Sequence, residues 1–242
     1  MIVTFSDFGV KGPYIGELEL KLSQLVPNEK VIHLFKDAPR YNPFAAAHLL
    51  AAYVQPFPKH TVFLGVVDPG VGTEERKPVV LFADDKWYVG PGNTLFDVVA
   101  ARAGSSHWFE IMWQPEVLSN SFHGRDLFAP IAAHIAAKCN VDTVCRPMEY
   151  TPDPKAAFCI STIIYIDDFG NCMTGLTMQG VNKNNILVAG GTAFVYATTF
   201  GDVPQSDAFW YFNSSGLAEL ALNKASVAEK LKINIGDTIQ IQ

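Results

Sequence analysis

An α/β N-terminal domain on a mostly parallel layered sheet, followed by a smaller all-β, barrel-like domain, is predicted by three observations. Short apolar runs alternate with helical stretches over residues 1–150, prolines cluster within Arg146–Lys155, and strand then follows strand to residue 242. The domains are therefore read as 1–150 and 156–242.

The runs Ile2–Phe5, Val31–Phe35, Thr61–Val67 and Val79–Ala83 are rich in β-branched and aromatic residues and end in turn signals. Runs this apolar suit parallel strands buried on both faces. Between the second and third, Asn42 is an N-cap, Pro43 fits the first helical position, and Ala45–Val54 continues the helix. Asp126–Lys138 reads as another helix, with Pro130 tolerated in its first turn. Pro147, Pro152 and Pro154 mark the linker. Beyond it, Phe158–Ile166, Ile186–Ala189, Ala193–Thr199, Ala208–Phe212, Ala218–Ala221 and Thr238–Ile241 read as strands punctuated by Gly, Asn and Asp, and only Ser226–Leu231 reads as helix.

Composition narrows the function. Charged residues make up 17%, below the usual quarter, which points to surface hidden in subunit contacts. A net charge of -6 argues against nucleic acid as partner. The apolar runs fall short of the roughly 20 residues that a membrane span needs. Cys139, Cys145, Cys159 and Cys172 show no C-x-x-C spacing, and Met1–Phe5 has no basic leader, so reduced thiols in a cytoplasmic protein are expected. With no H-E-x-x-H spacing, and with Gly90-Pro91-Gly92-Asn93 matching neither nucleotide fingerprint, no metal or cofactor is expected.

Asp68 follows the run Thr61–Val67 and opens a turn containing Pro69, Gly70 and Gly72; Asp7 repeats the arrangement after the first run. Ligands of open α/β sheets bind beyond the carboxyl ends of strands, so two such carboxylates point to one crevice. A turn aspartate capping backbone N–H groups is the alternative for each. His123 stands at a helix start beside Gly124, Arg125 and Asp126, whereas His33, His48, His60, His107 and His134 read as structural or surface residues. Asp167–Asn171 and Asn213–Gly216 have the composition of turns, the second offering hydroxyls suited to a carboxylate.

The order and separation of Ser6-Asp7-Phe8-Gly9, Asp68–Thr73, Tyr88–Pro91, Phe122–Pro130, Asp167–Asn171, Asn213–Gly216 and Leu231–Asp237 resemble the S-adenosyl-L-methionine (SAM) hydroxide adenosyltransferase family, relatives of fluorinating and chlorinating enzymes, across residues 1–242. The resemblance implies cleavage of SAM by water into adenosine and L-methionine, with SAM as substrate and no cofactor. It also implies a homotrimer, each site lying between the N-terminal domain of one subunit and the barrel of its neighbour. The family's water-activating triad is Asp, Arg and His. Asp68 and His123 match directly, and a one-residue insertion in Thr73-Glu74-Glu75-Arg76 restores Arg76 to the arginine's place; the other alignment puts Glu75 there. Gly92 stands where the family commonly has aspartate, and Asp168 where relatives often carry a basic residue.

By the same resemblance Asp7 receives the ribose hydroxyls, Asn171 faces adenine with Phe169 beside it, and Phe200 or Phe194 stacks on the purine. Asp167 binds the methionine ammonium, and Ser214 and Ser215 bind its carboxylate. The leaving group is a neutral thioether that needs no acid, so the barrier lies in the nucleophile. His123 is the triad member with an ordinary pKa near neutrality and is read as base or proton relay. Asp68 then orients it or the water, and Arg76 favours hydroxide and keeps Asp68 ionised. The alternatives are a SAM-dependent halogenase, a catalytically silent adenosine- or SAM-binding protein and, with least support, a sugar or phosphate hydrolase using Asp7 and Asp68. His123 and the serine pair favour water over halide, and the segment Gly92–Trp113 is short for the long loop of fluorinating relatives.

Overall fold

A computed structural model describes residues 1–73 and 76–242 and divides into two compact units, Met1–Pro154 and Lys155–Gln242. The first unit holds a seven-stranded sheet of β1 (Ile2–Ser6), β2 (Val31–Phe35), β3 (Val62–Val66), β4 (Pro78–Ala83), β5 (Lys86–Pro91), β6 (Ser106–Ile111) and β7 (Cys145–Met148), in the order β2-β1-β3-β5-β4-β6-β7. The pairs β1–β2, β1–β3 and β3–β5 are parallel, while β4–β5, β4–β6 and β6–β7 are antiparallel.

The sheet is thus mixed, not mostly parallel as expected. The reason is local: Asp84 and Asp85 both take positive φ, 46° and 60°, a two-residue turn whose twist closes a hairpin between β4 and β5. The apolar run Val79–Ala83 is largely buried whichever way its partner runs, so its composition carries no direction. The start of the proline-rich segment read as linker, Arg146–Lys155, belongs instead to the edge strand β7.

Helices α1 (Tyr14–Leu25), α2 (Pro43–Tyr53), α3 (Asp97–Arg102) and α4 (Ala129–Ala136) join these strands. The Asn42 side chain accepts from the Ala45 N–H at 3.0 Å, with Pro43 at the first helical position. Helix α1 is not among the expected elements; its Leu18 and Leu22, one helical turn apart, pack in one core with Ile131 and Ile135 of α4 and Val62, Leu64 and Val89 of the sheet.

The second unit is built from β8 (Ile160–Ile166), β9 (Cys172–Thr177), β10 (Leu187–Ala189), β11 (Thr192–Tyr196), β12 (Ala208–Phe212), β13 (Leu217–Leu222) and β14 (Gln240–Ile241), in the order β14-β10-β11-β12-β13-β9-β8. The segment before β14 returns to β8: Gly236 donates to the Ile163 carbonyl and Ile239 to that of Ser161, both at 2.8 Å. The sheet is therefore a nearly closed barrel around Phe194, Trp210 and Leu220. Ser226 caps the short α5 (Val227–Leu231) by accepting from the Glu229 N–H at 3.1 Å. Among the described residues no helix is long and apolar enough to cross a membrane.

Candidate active site

Because β1 and β3 are parallel with Ser6 opposite Val66, the chain leaves both strands at one edge of the sheet. Asp7 and Asp68 emerge there, and with Phe122, His123 and Gly124 they line a pocket of about 60 Å³. At about 30 Å³ per molecule in the liquid, that is room for a water or two.

Arg76 does not line this pocket but bonds two residues that do, Asp68 and His123. Its Nε donates to Asp68 Oδ1 at 3.1 Å and its Nη2 to Asp68 Oδ2, a bidentate pair whose side chains are only 7% and 4% exposed. Nη2 also donates to His123 Nδ1 at 3.1 Å, and the guanidinium lies over the Phe128 ring, 5.3 Å from its centroid. Arg76 therefore stands with Asp68 and His123, while Glu75 lies outside the described residues.

A guanidinium has only N–H donors, so His123 Nδ1 must offer its lone pair, and the ring is neutral with its proton on Nε2. Burial and the Arg76 charge both push the His123 pKa below its ordinary value, outweighing Asp68 and Asp126. Burial likewise raises the Asp7 carboxyl, although its Oδ2 accepts from the Tyr41 N–H at 3.2 Å.

His123 is presented by one turn of π-helix, Gly124–Phe128, ahead of α4, where a continuous helix was expected. Pro130, in the first turn of α4, has no N–H to donate back into this stretch, and the turn widens instead. Arg125 braces it, donating to Glu17 of α1 and to Asp126 Oδ1 at 2.7 Å and Oδ2 at 3.0 Å. A side chain at Gly124 would put its Cβ 2.9 Å from Phe8 Cζ. Asn93, not singled out in the sequence, donates to the Val67 carbonyl at 2.9 Å and so steadies the backbone just before Asp68. A Cβ at Gly92 would lie 2.9 Å from the Lys77 carbonyl, so the glycine permits a close backbone approach there.

In the second unit, Asp167, Phe169, Asn171 and Phe200 line a cleft of about 740 Å³ with Tyr211, Leu222, Asn223, Lys224, Ala225 and Ser226. Asp167 Oδ1 accepts from the Phe169 N–H at 3.0 Å and the Asn171 N–H at 2.9 Å, so this carboxylate shapes its own loop as well as facing the cleft. Gly170 (φ 78°) is obligatory: a Cβ there would fall 1.9 Å from Ser226 Oγ. Phe200 packs edge-on against Phe209 and Tyr211 at 4.9 and 5.5 Å. Phe194, the other aromatic proposed for the purine, is buried in the barrel core and cannot reach a ligand.

Ser214 is exposed, whereas Ser215 donates both its N–H (3.0 Å) and its hydroxyl (2.8 Å) to Asn213 Oδ1. The sequence offered Tyr211 only as part of an aromatic strand, and its alternation could have suggested that one face of that strand lines a site. Among the described residues, no three His, Cys, Asp or Glu side chains are grouped so as to hold a metal ion.

The chain matches the SAM hydroxide adenosyltransferase N-terminal domain over residues 2–145 and the C-terminal domain of the same family over residues 161–240. It is 31% identical to an (R)-S-adenosyl-L-methionine hydrolase of Thermus thermophilus, covering 98% of this chain and 97% of the relative. It is 30% identical to the protein of that name in Salinispora arenicola, covering 98% and 95%. A fluorinase of Actinopolyspora mzabensis is more distant, at 22% identity with 100% and 96% covered. A crystal structure of an uncharacterized conserved protein from Thermotoga maritima superposes with a TM-score of 0.89 at 29% identity, covering 100% of this chain and 99% of the other. With both halves matched in order, the chain belongs to the SAM hydroxide adenosyltransferase family.

Proposed function

We propose that this protein hydrolyses SAM by attack of water at the ribose 5′-carbon, releasing adenosine and L-methionine. The observation that carries this reading is the convergence of Asp68, Arg76 and His123 beside a pocket of water size. In the step, the C5′–O bond forms as the C5′–S bond breaks, the bonding pair leaves on sulfur as a neutral thioether, and one water proton passes to solvent.

Holding one water in line with the 5′-carbon supplies several kcal/mol through positioning alone. Asp68 is the acceptor that aims the water and favours loss of its proton, while Arg76 keeps Asp68 ionised. The Arg76 bond favours for His123 a role other than base or relay. With Nδ1 held by a permanent cation, a proton can be taken there only by giving up the Arg76 bond, so Nε2–H donates to the nucleophile's oxygen. Asp7 receives the ribose hydroxyls, and the purine lies in the aromatic cleft against Phe169, Asn171 and Phe200. Asp167 takes the ammonium, and the carboxylate goes to Ser214, since the Ser215 hydroxyl proton is committed to Asn213. A cytoplasmic homotrimer, in which the triad of one subunit meets the cleft of its neighbour, would unite these parts.

Incubation of the protein with SAM in ¹⁸O-water tests the reading: adenosine should appear with the label in its 5′-hydroxyl, alongside methionine. Release of 5′-chloro- or 5′-fluoroadenosine when halide is supplied, with no adenosine, would favour the halogenase instead. A ligand-stabilised protein that yields no product would leave only a binding role.

A further inference from the structure

Glu219 is the most deeply buried carboxylate of the second unit, 2% exposed, and the side chains that bond it, Tyr211 and Asn213, are neutral. Burial, and Asp167 nearby, push its pKa up. A carboxylate in such a place is costly unless its oxygens are both engaged. They are: Oε1 accepts from Tyr211 Oη at 2.5 Å and Oε2 from Asn213 Nδ2 at 2.8 Å. The three residues are neighbours because Tyr211 of β12 lies directly opposite Glu219 of β13, with Asn213 two residues on at the turn.

Each bond fixes a different part of the site. The Tyr211 ring lines the cleft and packs with Phe200, so its hydroxyl bond sets the aromatic wall. At Asn213, donation from Nδ2 to Glu219 turns Oδ1 toward the turn, where it accepts from Ser215 N–H, Ser215 Oγ and, at 3.1 Å, Leu217 N–H. Glu219 itself does not line the cleft.

We propose that Glu219 is a positioning residue for SAM: one buried side chain fixes the spacing between the aromatic wall that takes the nucleoside and the serine turn that takes the methionine carboxylate. The inference rests on the SAM-hydrolase reading for what occupies each part.

Steady-state kinetics with SAM and product inhibition by adenosine and by L-methionine test it. Glu219→Leu orphans both donors and should raise KM for SAM about tenfold while kcat stays within about threefold. Glu219→Gln is the rescue, its oxygen facing Asn213 and its amide donating to the Tyr211 oxygen, and it should stay within about threefold of wild type in both constants. Tyr211→Phe should weaken inhibition by adenosine selectively, and Asn213→Ala inhibition by L-methionine selectively; these single-arm variants decide the matter if Glu219→Leu does not fold. An unchanged KM in Glu219→Leu, a loss confined to kcat, or single-arm variants that weaken both products equally would overturn the proposal. Wild-type protein that releases no adenosine would instead remove the hydrolase reading, so the two failures are distinguishable.

Discussion

In the proposed step His123 makes two separable contributions, and two amide substitutions pull them apart. An asparagine places a carbonyl oxygen near the position of Nδ1, preserving the acceptor for Arg76 but removing any Nε2–H. A glutamine places an N–H near Nε2 but abandons the Arg76 bond. That bond is 3.1 Å long, partly buried and made by a charged donor, so its loss costs about 1.5–3 kcal/mol of stability. For a chain of this length the corresponding fall in Tm is roughly 3–12 °C. Removing one preorganised donor to the attacking oxygen costs about 10²–10³ in kcat. The expected outcome is therefore a crossover. His123→Asn melts near wild type but loses about 10²–10³ in adenosine release, while His123→Gln melts lower but keeps most of its turnover. The pH profile adds an independent check. In that step the neutral ring is the form that acts, and its pKa is lowered, so wild-type kcat should hold steady across neutrality and fall only on the acid side of the ordinary histidine value. That acid limb should vanish in His123→Gln. If His123→Gln is as inactive as His123→Ala, while Asn and Gln variants melt alike, the donor role is wrong and a base must be sought in the imidazole itself.

Arg76→Met strands the Asp68 carboxylate at 4% exposure, so stability should drop by about 3–5 kcal/mol and activity should be lost, measured by urea melts and adenosine release; a variant as stable as wild type would mean that the pair is not closed in solution. His48, 1% exposed and with neither ring nitrogen hydrogen-bonded among the described residues, has its pKa lowered from 6.5 to about 4. The unfolded chain therefore binds the proton first: stability is full above pH 6.5, declines between 6.5 and about 4, and the loss attributable to this residue reaches about 3 kcal/mol. His48→Leu should flatten that part of the stability curve, and an equal acid loss in the variant would exclude His48 as its source. Gly170→Ala drives a methyl into Ser226 Oγ at a left-handed backbone position, so it should cost at least 1–3 kcal/mol and raise KM for SAM; unchanged melting would show that the α5 cap gives way freely.

How much of this was legible in the sequence depends on how local each determinant is. The Asn42-Pro43 cap was legible because its physics lies within four residues. Asp7 and Asp68 were legible because two parallel strands deliver their following residues to one edge. The direction of β4 was not, since it hangs on Asp84 and Asp85 adopting positive φ without the glycine that usually advertises such a turn. Nor was the choice between Phe194 and Phe200, because barrel closure decides which face of β11 is inward and closure is set by the contact of Gly236–Ile239 with β8. Glu219 was the least legible: a charged residue in Leu-Ala-Glu-Leu-Ala-Leu reads as the solvent side of a strand, yet all six residues are buried and its partners lie across the pair.

Arg76 shows where electrostatics resolves what pattern matching leaves open. Two alignments of Thr73-Glu74-Glu75-Arg76 were available, one placing a carboxylate and the other a guanidinium beside Asp68 and His123. Asp68 is nearly shut off from water, and a buried carboxylate with a second carboxylate for a neighbour would take up a proton and lose its charge. A neutral acid cannot orient water as an acceptor in the way the reaction needs. The turn from Asp68 instead tightens through Val71 N–H to Asp68 O at 3.3 Å and Thr73 Oγ1 to Gly70 O at 2.8 Å, and the guanidinium is delivered to both partners. The residue that meets Asp68 and His123 is therefore the cation, Arg76, and its charge is what keeps the Asp68 carboxylate ionised.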